Sequence, residues 1–148
     1  MTKRACRHLF VYGTLRAGSG HTIAGLLARR ARSLGPGTAA GRLYLLGEYP
    51  ALHPSPQNPR LVRGEVFELD RSDARATLAR LDRYEGIGAL PSAPNRYRRD
   101  LVDVTLADGS RLTVWAYLLG GDPDRLPEIP SGDYLEWLSA QRRGQPKA

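Results

Sequence analysis

The sequence contains little cysteine, little histidine and no long hydrophobic run, and each shortage excludes a class of protein. One of the 148 residues is cysteine, Cys6, so no intramolecular disulfide can form. The three histidines, His8, His21 and His53, stand at unrelated spacings that do not fit a zinc site, so we expect no bound metal. No apolar run approaches the roughly 20 residues of a membrane-spanning helix, and the chain leads straight into a strand-like run without a targeting segment. We therefore expect a cytoplasmic protein with no membrane partner.

Acidic residues are scarce in the first half of the chain. Residues 1–64 carry ten Lys and Arg against the single acid Glu48, whereas residues 65–148 carry twelve against fourteen acids. The formal net charge of +7 would suit a polyanion such as nucleic acid. The basic residues are mostly single or paired arginines, as in Arg29-Arg30 and Arg98-Arg99, with no block of five or six. We expect no specific nucleic-acid binding, and association with nucleic acid stays open as an alternative.

The composition that is present is typical of a folded globular domain, with 41% hydrophobic and 25% charged residues. The length predicts one domain over residues 1–148. Short runs of β-forming residues without regular alternation with helices argue against a doubly wound parallel sheet. The pattern favours the α+β class, as a small mixed, mainly antiparallel β-barrel with flanking helices. The predicted strands are His8–Tyr12, Gly41–Leu46, Leu61–Leu69, Tyr97–Leu106 and Arg111–Leu119.

Three helices and two notable connections complete this prediction. The clearest helix begins at Asp70 or Ser72 as N-cap and runs to about Glu85, with short helices at 23–28 and after a cap at Ser131. The last two predicted strands form a hairpin around the turn Asp108-Gly109. The segment between the predicted strands that end at Leu46 and begin at Leu61 is expected to form a loop that contains Pro50, Pro54, Pro56 and Pro59.

Glu85 is the first residue that indicates chemistry. Ala74, Leu78, Leu81 and Glu85 follow each other at i, i+4, i+7 and i+11, which places the carboxylate on the core-facing stripe of the central helix. Burial and the negative end of the helix dipole both raise a carboxylate pKa toward the range useful for a general base. The alternative is a carboxylate that bends outward at the frayed helix end and serves only the scaffold.

The second indication is the turn that follows the first strand. Gly13 permits a close approach of backbone to ligand, and successive N–H groups in such a turn can hold a carboxylate or an oxyanion. Neither a Walker pattern nor a dinucleotide fingerprint is present, so nucleotide binding has little support. A tight turn without a ligand is the alternative.

Five segments together resemble the gamma-glutamylcyclotransferase-like family, most closely its gamma-glutamylamine cyclotransferase branch. The resemblance covers about residues 8–120 in the family's order. The segments are Tyr12–Arg16, Tyr49–Leu52, Val62–Phe67, Leu81–Gly86 and Arg96–Arg99.

The resemblance implies a small β-barrel with a pocket at its mouth and the release of 5-oxoproline from a small γ-glutamyl compound, without a cofactor. It assigns the glutamyl part of the substrate to Tyr12, Gly13, Thr14 and Leu15 and makes Glu85 the catalytic carboxylate.

Tyr97 and Tyr117 are two further candidates for substrate contact, and either could instead be ordinary barrel packing. In the implied reaction the substrate's own α-amine attacks its γ-carbonyl, so the nucleophile is tethered and one carboxylate can serve as general acid and base. The alternative function is a non-catalytic barrel that binds a carboxylate-bearing ligand or a partner protein. The leaving-group amine and the oligomeric state cannot be read from the sequence.

Overall fold

The computed structural model describes residues 6–13, 22–55, 60–85 and 96–144. Seven strands and three helices lie in this part of the chain. In chain order they are β1 (His8–Val11), α1 (Thr22–Arg30), β2 (Ala31–Leu46), β3 (Tyr49–Pro54), β4 (Leu61–Leu69), α2 (Ala74–Tyr84), β5 (Tyr97–Leu106), β6 (Arg111–Leu119), β7 (Glu128–Ile129) and α3 (Tyr134–Gly144).

Five of the strands close into a mixed barrel. The circuit runs β1-β4-β2-β5-β6 through antiparallel pairs and closes through a parallel pairing of β6 with β1 at Leu9 and Trp115. The strands β3 and β7 extend the sheet by pairing with β2. The predicted class, a small mixed and mainly antiparallel barrel with flanking helices, is confirmed.

The strand β2 bends, and this bend allows it to pair both with strands of the barrel and with the added strands. Its ladder with β4 shifts register between Ser33 and Gly35, and Gly35 takes the positive φ of 98° that only glycine adopts without strain. Beyond this bulge β2 pairs with β5 through Gly37–Ala39 and with β3 through Gly41–Leu46. The first part of β2, residues 31–40, was not predicted as strand, because its Gly-Pro-Gly segment is poor in β-forming side chains.

The expectation of a proline-rich loop between the strands that end at Leu46 and begin at Leu61 was wrong where β3 lies. Pro50 and Pro54 occupy the second and the last position of this strand. Proline is tolerated near strand ends, where its missing N–H removes no essential ladder bond. The two-residue strand β7 was also not predicted.

The helix α2 starts later than expected. The Asp70 carboxylate accepts hydrogen bonds from the backbone N–H and the hydroxyl of Ser72, at 3.1 and 2.9 Å. This local turn competes with a cap at either residue, so the helix begins at Ala74 after Asp73. The helix reaches its expected end, since Glu85 is its C-cap residue.

The alternation of side chains along the strands creates two hydrophobic clusters. One contains Phe10 and Tyr12 and fills the barrel interior. The other contains Leu9 and Val11 and is covered by α2 through Leu78 and Leu81. Tyr97 and Tyr117 belong to this second cluster. The C-terminal end of α2 is thereby fixed next to the ends of β1 and β6.

Among the described residues, no helix is long and apolar enough to cross a membrane.

Candidate functional site

A cavity of about 310 Å³ opens where β1 and α2 end and β3 and β5 begin. This volume lies at the small end of the usual range for small-molecule sites. Buried side chains form its floor and exposed ones its mouth. The lining residues are Phe10, Val11, Tyr12, Gly13, Tyr49, Pro50, Tyr84, Glu85, Arg96, Tyr97 and Tyr117.

The cavity brings together most of the residues that the sequence analysis singled out. Tyr12, Gly13, Glu85, Tyr97 and Tyr117 all line it. Thr14 and Leu15 lie outside the described residues. For Tyr97 and Tyr117 the sequence left open whether each contacts the substrate or packs in the barrel. In the structure each of them lines the cavity and is also buried in the core.

Glu85 is held at the end of α2, where its backbone N–H donates to the Leu81 carbonyl oxygen at 2.9 Å. Burial, and to a smaller extent the nearby charge of Asp82, together raise the pKa of its carboxyl from 4.5 to about 7. Within the described part of the chain, no cation lies within ion-pair distance of Glu85, so the arginines on its own helix do not neutralise it. At neutral pH this carboxyl is therefore divided between its protonated and ionised forms.

The hydroxyl protons of three buried tyrosines are already engaged. Tyr12 donates to the Tyr117 carbonyl oxygen, Tyr97 donates to the Pro50 carbonyl oxygen at 2.8 Å, and Tyr117 donates to Asp82 at 2.7 Å. Burial raises the pKa of all three, and the charge of Glu85 adds to the shift, so they stay neutral. Any of these oxygens that reaches a ligand can only accept a hydrogen bond. Together with Glu85 they favour an amine or ammonium group in the cavity.

Asp82 connects the cavity to the barrel wall and was not singled out by the sequence analysis. Besides the Tyr117 hydroxyl, it accepts two hydrogen bonds from the Arg99 guanidinium, at 2.8 and 3.3 Å. The guanidinium lies 4.3 Å from the centre of the Trp115 ring. The two hydrogen bonds of the guanidinium and its stacking on the Trp115 ring hold the Asp82 carboxylate in one orientation. The spacing of one helical turn between Asp82 and Glu85 was the available sequence signal for this residue.

Gly13 is required by the wall of the cavity. A Cβ atom at this position would lie 2.7 Å from Cγ of Pro50, which is closer than two non-bonded carbon atoms approach. The sequence allowed two interpretations of this glycine, the close approach of a ligand and a tight turn without one. The structure shows packing against Pro50 as a reason that applies without any ligand.

The mouth of the cavity contains three residues that the sequence analysis did not propose as site residues. Tyr49 is 50% exposed, Tyr84 is 37% exposed, and Arg96 is exposed. Each immediately precedes an inner residue, Pro50, Glu85 or Tyr97. This adjacency, and the occurrence of all three residues within the quoted segments, was the signal that could have found them.

Comparison with known proteins gives a family match over most of the chain. The model of the family described as "Gamma-glutamyl cyclotransferase, AIG2-like" matches residues 9–136. No curated protein matches the sequence.

Several solved structures are similar. An AIG2-like protein from Mus musculus is 26% identical with a TM-score of 0.65, over 87% of this chain and 88% of that one. Protein ytfP from Escherichia coli is 32% identical with a TM-score of 0.55, over 88% of this chain and 97% of that one. YkqA from Bacillus subtilis is 23% identical with a TM-score of 0.69 over 95% of this chain, which spans only 44% of the YkqA chain. The YkqA similarity concerns the fold alone.

Proposed function

Because the chain belongs to the family of AIG2-like gamma-glutamyl cyclotransferases, we propose that it releases 5-oxoproline and a free amine from a small γ-glutamyl compound, with Glu85 as general acid and base. The observation that carries this proposal is a partly buried carboxyl with a pKa of about 7 in a cavity where the protons of three tyrosine hydroxyls are already donated to other groups.

The reaction needs one bond to form and one to break. The α-amine nitrogen of the substrate forms a bond to its own γ-carbonyl carbon, which closes a five-membered lactam. The bond from that carbon to the leaving nitrogen then breaks. The proton that the attacking neutral amine gives up is the proton that the leaving nitrogen gains, so one carboxyl can carry it between the two.

Glu85 takes this proton in its ionised form and returns it in its protonated form. A pKa near 7 makes both forms available at neutral pH, and such proton transfer typically contributes about 10²–10⁴-fold to the rate. Because the nucleophile belongs to the substrate itself, no enzyme nucleophile is required and much of the entropic cost of bringing the reactants together is avoided.

The tyrosine oxygens complete the proposed role of the cavity by accepting hydrogen bonds from the substrate's α-amine. The orientation of the Tyr117 hydroxyl toward Asp82 leaves its lone pairs available for this contact. The backbone N–H of Gly13 would help to hold the substrate carboxylate, and Thr14 and Leu15, which the resemblance assigns to the same half of the substrate, lie outside the described residues.

The alternative function, a barrel that binds an anionic ligand without turnover, fits the cavity less well. The ionised Glu85 would attract the α-amine of a γ-glutamyl compound, whereas a ligand that bears a carboxylate and no amine offers no group for Glu85 to attract.

The test is to incubate the protein with a panel of γ-glutamyl compounds and to measure 5-oxoproline by mass spectrometry. We expect the wild-type protein to produce it, and Glu85→Gln to reduce the rate by about 10²–10⁴-fold while 5-oxoproline still binds. Binding of γ-glutamyl compounds without any 5-oxoproline release would favour the non-catalytic function.

A further inference from the structure

The mouth of the cavity has a chemistry different from that of its floor. Among the described residues, the large hydrophobic side chains that are exposed are Tyr49, Leu61 and Tyr84, and two of these three lie at this mouth. Exposed aromatic groups that cluster beside a cavity commonly mark a contact surface for a ligand. The third group at the mouth, Arg96, is the one cation among the described lining residues.

Arg96 is available for an anionic ligand. No acidic side chain of the described residues lies within ion-pair distance of its guanidinium. Its backbone is nevertheless fixed, because the Arg96 carbonyl oxygen accepts a hydrogen bond from the Gly120 N–H at 2.8 Å and the following Tyr97 is anchored to Pro50. The side chain therefore extends from a rigid point beside the inner groups.

The division between floor and mouth corresponds to the two halves of a γ-glutamyl substrate. The reacting γ-carbonyl must lie near Glu85, and the ring that forms from the glutamyl half faces the buried tyrosine oxygens. The leaving amine is then directed outward, toward two aromatic rings and one guanidinium. A carboxylate on that amine can pair with the guanidinium in bidentate fashion, and an apolar side chain can pack on the rings.

We propose that Tyr49, Tyr84 and Arg96 form a leaving-group subsite that selects γ-glutamyl derivatives of α-amino acids with aromatic or other large apolar side chains. This inference rests on the proposed cyclotransferase function. Amines without a carboxylate lack the partner for Arg96 and are poorer substrates. The same applies to an isopeptide-linked lysine, whose carboxylate is separated from the leaving nitrogen by the full length of the side chain.

A matched pair of substrates isolates the carboxylate. γ-Glutamyl-phenylalanine and γ-glutamyl-phenethylamide differ only in that group. We expect the wild-type kcat/KM to favour the phenylalanine compound by about tenfold, the effect of one charge-assisted hydrogen bond. Arg96→Gln should remove this preference and leave inhibition by 5-oxoproline unchanged, because 5-oxoproline contains only the glutamyl half. Arg111→Gln, at an exposed arginine of the distant hairpin, should keep the preference.

A second comparison tests the aromatic rings. Tyr49→Ser should reduce the preference for γ-glutamyl-phenylalanine over γ-glutamyl-alanine, whereas Leu61→Ser, at the exposed hydrophobic residue away from the cavity, should not. The proposal is overturned if Arg96→Gln keeps the wild-type preference, or if it weakens both substrates and 5-oxoproline equally, which would assign Arg96 to the glutamyl carboxylate. Wild-type protein that releases 5-oxoproline from other γ-glutamyl compounds but from neither of these two would also overturn the proposed subsite, whereas no 5-oxoproline from any compound of the panel would overturn the proposed function itself.

Discussion

The raised pKa of Glu85 predicts how the stability of the protein depends on pH. The folded state holds the Glu85 proton more tightly than the unfolded state, with a pKa of about 7 against 4.5. The stabilising contribution of this proton is present below pH 4.5 and is lost as the pH rises through 7. One pKa unit corresponds to 1.36 kcal/mol, so the shift amounts to about 3 kcal/mol at most.

Glu85→Gln removes this dependence, because glutamine resembles the protonated carboxyl in shape and does not ionise. At pH 4 the variant and the wild-type protein should have nearly equal free energies of unfolding. At pH 8 the variant should be more stable by up to about 3 kcal/mol, or on the order of 6–12 °C in melting temperature. The measurement is urea unfolding at several pH values between 4 and 8.

Glu136→Gln is the matched control for the loss of one carboxylate from the surface, since Glu136 is exposed on α3. The reasoning would be refuted if the stability difference between Glu85→Gln and wild type were the same at all pH values. It would equally be refuted by a variant that is less stable at pH 8, because that result would reveal an ion pair that the substitution breaks.

Three further predictions concern the surroundings of Glu85. Asp82→Asn removes a charge that raises the Glu85 pKa, so the acidic limb of the kcat/KM profile should shift to lower pH; an unmoved limb would restrict Asp82 to a structural role. Gly13→Ala should destabilise the fold by about 1–3 kcal/mol in thermal or urea unfolding through its contact with Pro50, and Pro50→Ala in the same chain should recover part of this loss, unless the contact is unimportant. Turnover should survive a thiol-blocking reagent, because Cys6 is buried. It should also survive EDTA, because the proposed reaction uses no metal; loss of turnover with EDTA that one added metal reverses would reveal a metal site.

The parts of the fold that the sequence predicted are those whose signals are local. The hairpin of β5 and β6 was predicted from alternation and from Asp108-Gly109, and the structure has Gly109 at a φ of 88° with Asp108 accepting a hydrogen bond from the Ser110 N–H at 2.9 Å. The strand β3 was missed because its stability comes from neighbours on β2 and β6 that outweigh its unfavourable prolines.

The same distinction between local signals and long-range contacts applies to the candidate site. The inward direction of Glu85 follows from helical periodicity within one element, and the structure places this residue at the cavity. The contacts that set its surroundings join elements far apart in the chain, such as the hydrogen bond of Tyr12 to Tyr117 and that of Tyr97 to Pro50. No local pattern encodes such pairs, so a single sequence could not predict which groups face Glu85.

The pairing of β2 with four other strands has a consequence for the order in which the protein opens. Because β3, β4, β5 and β7 all hydrogen-bond to β2, its central amides can exchange with solvent only when the whole barrel opens. The helix α2 covers one face of the barrel through Leu78 and Leu81 and belongs to none of the strand ladders, so we expect it to detach more readily than the barrel opens. We therefore expect amide exchange in β2 to report the global free energy of unfolding and exchange in α2 to be faster. A detached α2 carries Glu85 away from the cavity, so the rate of this local opening would set a limit on how long the site stays assembled.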